Sequence, residues 1–161
     1  MKIILRIILW IFSYKDIMGL QPTIKIQQDI QELIYQMGGC EHVSHYVTFD
    51  FPIDDATPYI EVKNGKYYYI ISEREEEYER RATRDYQELL YWNAEYISSC
   101  IASDYEMKHR QPNVDSRRLY FKTQLGLLNQ INPMFAKRCR KERENILESH
   151  PFRDGGPNCI D

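Results

Sequence analysis

The sequence predicts an α+β domain: an N-terminal helix, a small antiparallel β-meander of about three or four strands, and three C-terminal helices packed against it. Three observations carry that prediction. The pair Asn64-Gly65 separates two runs of strand-forming residues, the signature of a hairpin closed by a type I′ turn. From Thr83 onward the polarity takes a helical period and keeps it. Finally, 161 residues give room for one real core and little room for two.

Taken in order, Thr23 can cap a first helix in which Ile26, Ile30, Leu33, Ile34 and Met37 share a face, and Gly38-Gly39 ends it. Residues 40–57 hold one short candidate strand, 46–49, inside an acidic loop that contains proline. The hairpin follows, with strands at 59–63 and 66–72, and a charge-rich third strand is expected at 77–81. In that strand Glu77, Glu79 and Arg81 should share one face and Tyr78 and Arg80 the other. Thr83 then caps a long helix over 84–109, with Tyr86, Leu89, Leu90, Asn93, Tyr96, Ile97, Cys100, Ile101 and Asp104 along one stripe. Asp115 caps the next helix, whose apolar face is Leu119, Tyr120, Gln124, Leu127, Leu128 and Ile131, and Asn132 stops it. Pro133 suits the first turn of a last helix reaching Ser149, because its missing N–H costs nothing there.

The domain is expected to span 20–152, with a flexible tail at 153–161. Residues 1–17 are apolar from 3 to 12 but interrupted by Arg6, too short to span a bilayer and without a signal-peptide cleavage site. They read as an apolar leader or an extension ahead of a start at Met18.

Charge is unevenly spread. The net value is only −3, yet residues 20–79 carry 12 acidic and 4 basic side chains, whereas 112–150 carry 8 basic and 4 acidic. A nucleic-acid binder needs a dominant basic face, which this pattern does not provide. An acidic first half instead suits a protein that captures a basic partner by electrostatic steering. The 13 tyrosines, with their apolar bodies and polar tips, suit half-buried and interfacial positions.

Signatures of chemistry are sparse. There is no G-x-S-x-G, no phosphate-binding glycine loop and no H-E-x-x-H. Cys40, Cys100, Cys139 and Cys159 are scattered, and His42 and His45 beside Cys40 and Glu41 lack metal-ligand spacing. Neither a metal nor a cofactor is expected, and reduced cysteines fit a cytoplasmic chain. Asp104 falls on the apolar stripe, where a lone carboxylate is costly, so an ion-pair network with Arg117 or Arg118, or with Arg80, is expected.

One stretch resembles a known family. Residues 67–74 (YYYIISER), Glu79-Arg80-Arg81, Thr83 and Glu88-Leu89-Leu90-Tyr91-Trp92 are similar to the immunity protein 63 family of bacterial polymorphic toxin systems. The similarity continues through Asp104-Tyr105-Glu106, His109-Arg110, Asp115, Arg117-Arg118, Gln124-Leu125, Asn132-Pro133 and His150-Pro151-Phe152. Two positions depart from it: Glu75 stands where a glycine is expected, and Asn93 replaces a more apolar residue. The resemblance implies a cytoplasmic α+β protein that neutralises a cognate toxin domain by binding it, and it supplies no catalytic residues.

A basic nuclease is one such partner, since acidic side chains imitate the phosphate backbone it binds. The residues expected to touch it are Glu73, Glu75, Glu76 and Glu77, the loop acids Asp50, Asp54 and Asp55, and the anchors Tyr59 and Tyr68. The alternative is a small toxin-modifying or hydrolytic enzyme using Asp104, Glu106 or His109 beside an arginine.

Overall fold

The computed structural model describes residues 20–40, 42–49, 51–53 and 55–155. The leader at 1–17, the alternative start Met18, Glu41, Asp50, Asp54 and residues 156–161 of the tail lie outside the described residues. The chain order is α1 (Thr23–Gln36), a short 3-10 turn (Val43–His45), β1 (Thr48–Phe49), β2 (Tyr59–Lys63), β3 (Lys66–Glu73), β4 (Glu76–Thr83), α2 (Tyr86–Lys108), α3 (Ser116–Ile131) and α4 (Pro133–Ser149). This is the α+β class, with a helix, then strands, then three helices. No helix among the described residues is long and apolar enough to cross a membrane.

The described residues form two compact units. One gathers residues up to Gln31 with His42–Trp92, and the other gathers the rest.

In the first unit the sheet order is β1-β2-β3-β4. The hairpin β2–β3 pairs Lys63 with Lys66 around Asn64 and Gly65, whose φ values of 51° and 71° are those of a type I′ turn. β1 differs from the expected meander: it runs parallel to β2, with Thr48 opposite Tyr59, so the sheet is mixed. Burial explains the strands. Ile60, Tyr67 and Ile70 are essentially inaccessible, as are Ile26, Ile30, Val47 and Leu89 of the same unit. Each such side chain contributes roughly 1.5–3 kcal/mol. The Tyr67 hydroxyl accepts the Gln21 N–H at 2.6 Å, and its ring lies 5.6 Å from that of Tyr86. The Tyr86 hydroxyl in turn donates to Asp29 at 2.6 Å, tying α1 to the start of α2.

β4 departs from the simple alternation. Ile71 faces Glu79 and Ser72 faces Glu77, so Tyr78 is the extra residue of a β-bulge. One inserted residue reverses the parity beyond it. Glu77 therefore shares a face with Arg80, which it pairs through two hydrogen bonds of 2.8 and 2.6 Å. Glu79 is left with Arg81, whose guanidinium sits 5.6 Å from the Tyr69 ring and 5.7 Å from that of Trp92. The expected grouping of Glu77 with Glu79 and Arg81 is corrected on that ground. β4 also runs on to Thr83, so the next helix starts later than expected. The Thr83 hydroxyl accepts the Asp85 N–H, and Asp85 takes the capping role by accepting the Gln87 N–H at 2.8 Å.

In the second unit, α3 and α4 have the caps their sequence announces. Asp115 accepts the Arg117 N–H, and Asn132 both donates to Leu128 O and accepts the Met134 N–H. On α2 the expected stripe is buried at Asn93 and Ile97 but does not reach Asp104. Beside it Ala94, Ser98, Ala102 and Glu106, four apart, form a further buried row, and Asp104 is exposed. The α3 core residues are Phe121, Gln124 and Leu128.

Candidate functional site

The sheet ends in a second tight turn. Arg74 and Glu75 adopt φ values of 54° and 65°, the same left-handed pair as Asn64-Gly65 but without a glycine. Glu73 and Glu76 face each other across it. Glu73 also bridges to Asp55, the Ala56 N–H donates to Ser72 O at 3.0 Å, and Asp55 Oδ1 accepts the Thr57 N–H at 2.9 Å. Backbone pairing thus brings Asp55 from the preceding loop to the turn between β3 and β4. Asp55, Glu73, Glu75, Glu76 and Glu77 gather at one end of the sheet. Two guanidiniums stand among these five carboxylates: Arg74, 3.6 Å from Glu73, and Arg80 on Glu77. Hydrogen bonds from Thr57 hold the Asp55 carboxyl below the usual range, and the Arg80 guanidinium does the same for Glu77. Both stay ionised well below neutral pH, so the end is persistently negative.

The tyrosine positions lie on the adjoining face. Register sets Tyr59 beside Ile70 and Arg80, and Glu61 beside Tyr68 and Ala82. The Arg80 guanidinium lies 5.6 Å from the centroid of the half-buried Tyr68 ring, and Tyr59 is half-buried as well. Asp50 and Asp54 lie outside the described residues.

The network expected around Asp104 is not formed as read. Asp104 is exposed, and the three arginines are engaged elsewhere: Arg80 with Glu77, Arg117 with Asp115, and Arg118 with Asp154. The physical reason is the path of the buried row on α2. Two residues further on, Glu106 faces inward and is met by Arg110 one turn away, with both contacts at 2.8 Å. That guanidinium holds the Glu106 carboxyl below its ordinary range. His109 stacks on Tyr105 with centroids 4.0 Å apart, its Nδ1 at 2.8 Å from Tyr105 O. The triplet Asp104, Glu106 and His109 is therefore dispersed around the helix.

Sequence reasoning missed a polar triad of one buried and two half-buried side chains. The Arg143 guanidinium donates to Glu95 at 2.5 Å and to Gln124 at 3.1 Å, and Gln124 donates onward to Glu95 O at 3.2 Å. Its signal was weak: one arginine within the basic region from 112 to 150, and a glutamine on an apolar face.

Several residues of the family resemblance form a clasp instead of a site. Arg117 donates to Asp115 and to the carbonyls of His150 and Pro151. Arg118 lies 4.3 Å over the Phe152 ring and pairs with Asp154. Asp115 also accepts the Arg153 N–H, and the Gly155 N–H donates to Asn113 O. Residues 153–155, read from the sequence as the start of a tail, are thereby fastened to the start of α3. Beside the clasp lies a groove of about 260 Å³ lined by Glu106, Arg110, Arg118 and Lys122 among others. Among the described residues, no group of three His, Cys, Asp or Glu could hold a metal ion.

No curated protein and no solved structure matches the chain significantly. A family model does, over residues 63–145, more than half of the length and including β3, β4, α2 and α3. By that match the protein belongs to the family described as Immunity protein 63.

Proposed function

We propose that the protein binds a cognate toxin domain of a bacterial polymorphic toxin system in the cytoplasm and blocks it directly, using the acidic end of its sheet. The observation that carries this reading is the cluster of Asp55, Glu73, Glu75, Glu76 and Glu77, held together by backbone pairing and outnumbering its guanidiniums. Such a surface attracts a basic protein and repels nucleic acid. A nuclease fits it well, because its phosphate-binding surface is the natural counterpart of ordered carboxylates. Tyr59 and Tyr68 supply apolar area beside the charges. The engaged state of Glu106 and the dispersal of Asp104 and His109 favour blocking over toxin modification.

The test is a binding measurement with the toxin domain encoded beside the gene. The triple variant Glu75→Lys, Glu76→Lys, Glu77→Lys should slow association by about tenfold or more at low salt. Association and affinity that match the unaltered protein would remove the acidic end from the interface.

A further inference from the structure

β4 is the last strand of the sheet, and among the described residues no strand lies beyond it. Which of its backbone groups face outward follows from the hairpin. A two-residue turn is flanked by a hydrogen-bonded pair, here Lys63 and Lys66, so Lys66, Tyr68 and Ile70 turn their N–H and C=O groups toward β2. Tyr67, Tyr69 and Ile71 therefore bond the opposite way, to Thr83, Arg81 and Glu79 of β4. The turn at Arg74-Glu75, flanked by Glu73 and Glu76, gives the same parity from the other end. Arg80 and Ala82 are thus left with N–H and C=O groups aimed away from the sheet, and both residues are exposed.

Open edges invite pairing, and proteins guard them with charges and bulges. β4 is guarded over its first half, by Glu76, Glu77 and the bulge at Tyr78. From Glu79 to Thr83 its pairing with β3 is regular and contains neither proline nor bulge. The charges also select against a second copy. A two-fold antiparallel pairing centred on Glu79, Arg80 or Arg81 sets that residue against itself, and one centred on Ala82 sets Arg80 against Arg84. Like charges directly opposite destabilise a strand pair. A different chain escapes this conflict, and Glu76 and Glu77 at the head of the strand favour a basic residue in it. We infer that the toxin domain adds an extended segment to β4 as a further strand, with main-chain hydrogen bonds to Arg80 and Ala82 and a basic side chain beside Glu76 and Glu77. This inference rests on the toxin-binding reading above: the acidic end steers the encounter, and the strand edge holds the complex.

Ala82→Pro removes an outward N–H and sets a ring against an incoming strand while sparing the hydrogen bonds to β3, and proline is tolerated on edge strands. Ala82→Val keeps the N–H and suits a strand better. The full chain is immobilised and the adjacent toxin domain is passed over it. Ala82→Pro should accelerate dissociation by about tenfold or more, and Ala82→Val should stay within about twofold of the unaltered protein. Circular dichroism verifies the fold of both. Amide hydrogen exchange on the unaltered chain reads the same contact without a substitution. In the complex the Arg80 and Ala82 N–H groups should exchange more slowly by about tenfold or more, whereas Arg81, bonded to β3, is protected already. Unchanged dissociation of a folded Ala82→Pro, or Arg80 and Ala82 amides that exchange as fast in the complex as in the free chain, would refute strand addition. The acidic interface then stands if the lysine triple variant still associates slowly. If the unaltered chain does not bind the toxin domain, the toxin-binding reading fails and this inference with it. A dimer in sedimentation that Ala82→Pro converts to monomer would assign the edge to a second copy, which also overturns the inference.

Discussion

Glu75 holds a φ of 65° directly after Arg74 at 54°, a region that crowds the Cβ of any L-residue and costs roughly 1–2 kcal/mol. The family resemblance places glycine there, and glycine adopts that conformation freely. Glu75→Gly is therefore expected to raise unfolding stability by about 1 kcal/mol in a denaturant titration. A loss of stability would mean that the Glu75 side chain stabilises the turn by more than its backbone costs. Asp115 presents the opposite case. Its hydrogen bonds from the Arg117 side chain, and then from the Arg153 and Arg117 N–H groups, hold its carboxyl well below the ordinary range. A folded pKa below the unfolded value of about 3.9 contributes stability that is fully present above that value. The contribution is lost as pH falls from about 4 through the lower folded pKa. Asp115→Asn should remove part of this acid sensitivity while keeping a cap, and Asp115→Ala should cost about 2 kcal/mol near neutral pH. Acid unfolding curves of the three proteins that superimpose would dissolve the clasp as a stabilising device.

At the scale of elements, what the sequence made legible was whatever local chemistry decides. Asn64-Gly65 marks one turn because two residues with positive φ must sit there, and Asp115 and Asn132 mark helix ends because their oxygens reach nearby N–H groups. The turn at Arg74-Glu75 has the same geometry without its usual residues, and only the flanking strands reveal it. The bulge at Tyr78 depends on pairing with β3, so counting alternation along β4 assigned Glu77 to the wrong face. In α2 the expected stripe holds at Leu89, Asn93 and Ile97, but beyond them burial follows the small residues Ala94, Ser98 and Ala102 and ends on Glu106 instead of Asp104. Small side chains are the ones that tolerate close neighbours, and no periodicity of bulk announces them. The triad of Glu95, Gln124 and Arg143 was illegible for a related reason, since its members lie on three helices. Arg143 is only 15% exposed and Glu95 24%, so Arg143→Ala leaves a half-buried carboxylate without its shortest hydrogen bond and the buried Gln124 carbonyl without the Arg143 donor. We expect a cost of about 3 kcal/mol in unfolding free energy. A double-mutant cycle with Glu95→Gln should give a coupling of about 1 kcal/mol or more, and strict additivity would show that the pair is energetically idle.

For the whole molecule, the net charge of −3 conceals an acidic first half and a basic region from 112 to 150. The acidic half supplies the carboxylates that backbone pairing gathers at the turn between β3 and β4. Of the residues expected to touch a partner, Asp55, Glu73, Glu75, Glu76 and Glu77 share that end, and Tyr59 and Tyr68 lie on the adjoining face. The acids were visible as composition, but the arrival of Asp55 beside Glu73 required the fold. If association is steered by this end, the on-rate with the toxin domain should fall by about tenfold between low and physiological salt. The off-rate should change little, and a salt-independent on-rate would show that the charges do not guide the encounter.

On the toxin-binding proposal, protection comes from occupancy and not from turnover. Titrating the purified chain into a fixed amount of the adjacent toxin domain, with residual toxin activity as the readout, separates the two. Activity is expected to fall linearly and to end at a fixed molar ratio, with a complex of the same ratio isolated by gel filtration. Complete protection at a small fraction of that ratio, with no complex recovered, would contradict it and identify the protein as a catalyst of toxin inactivation.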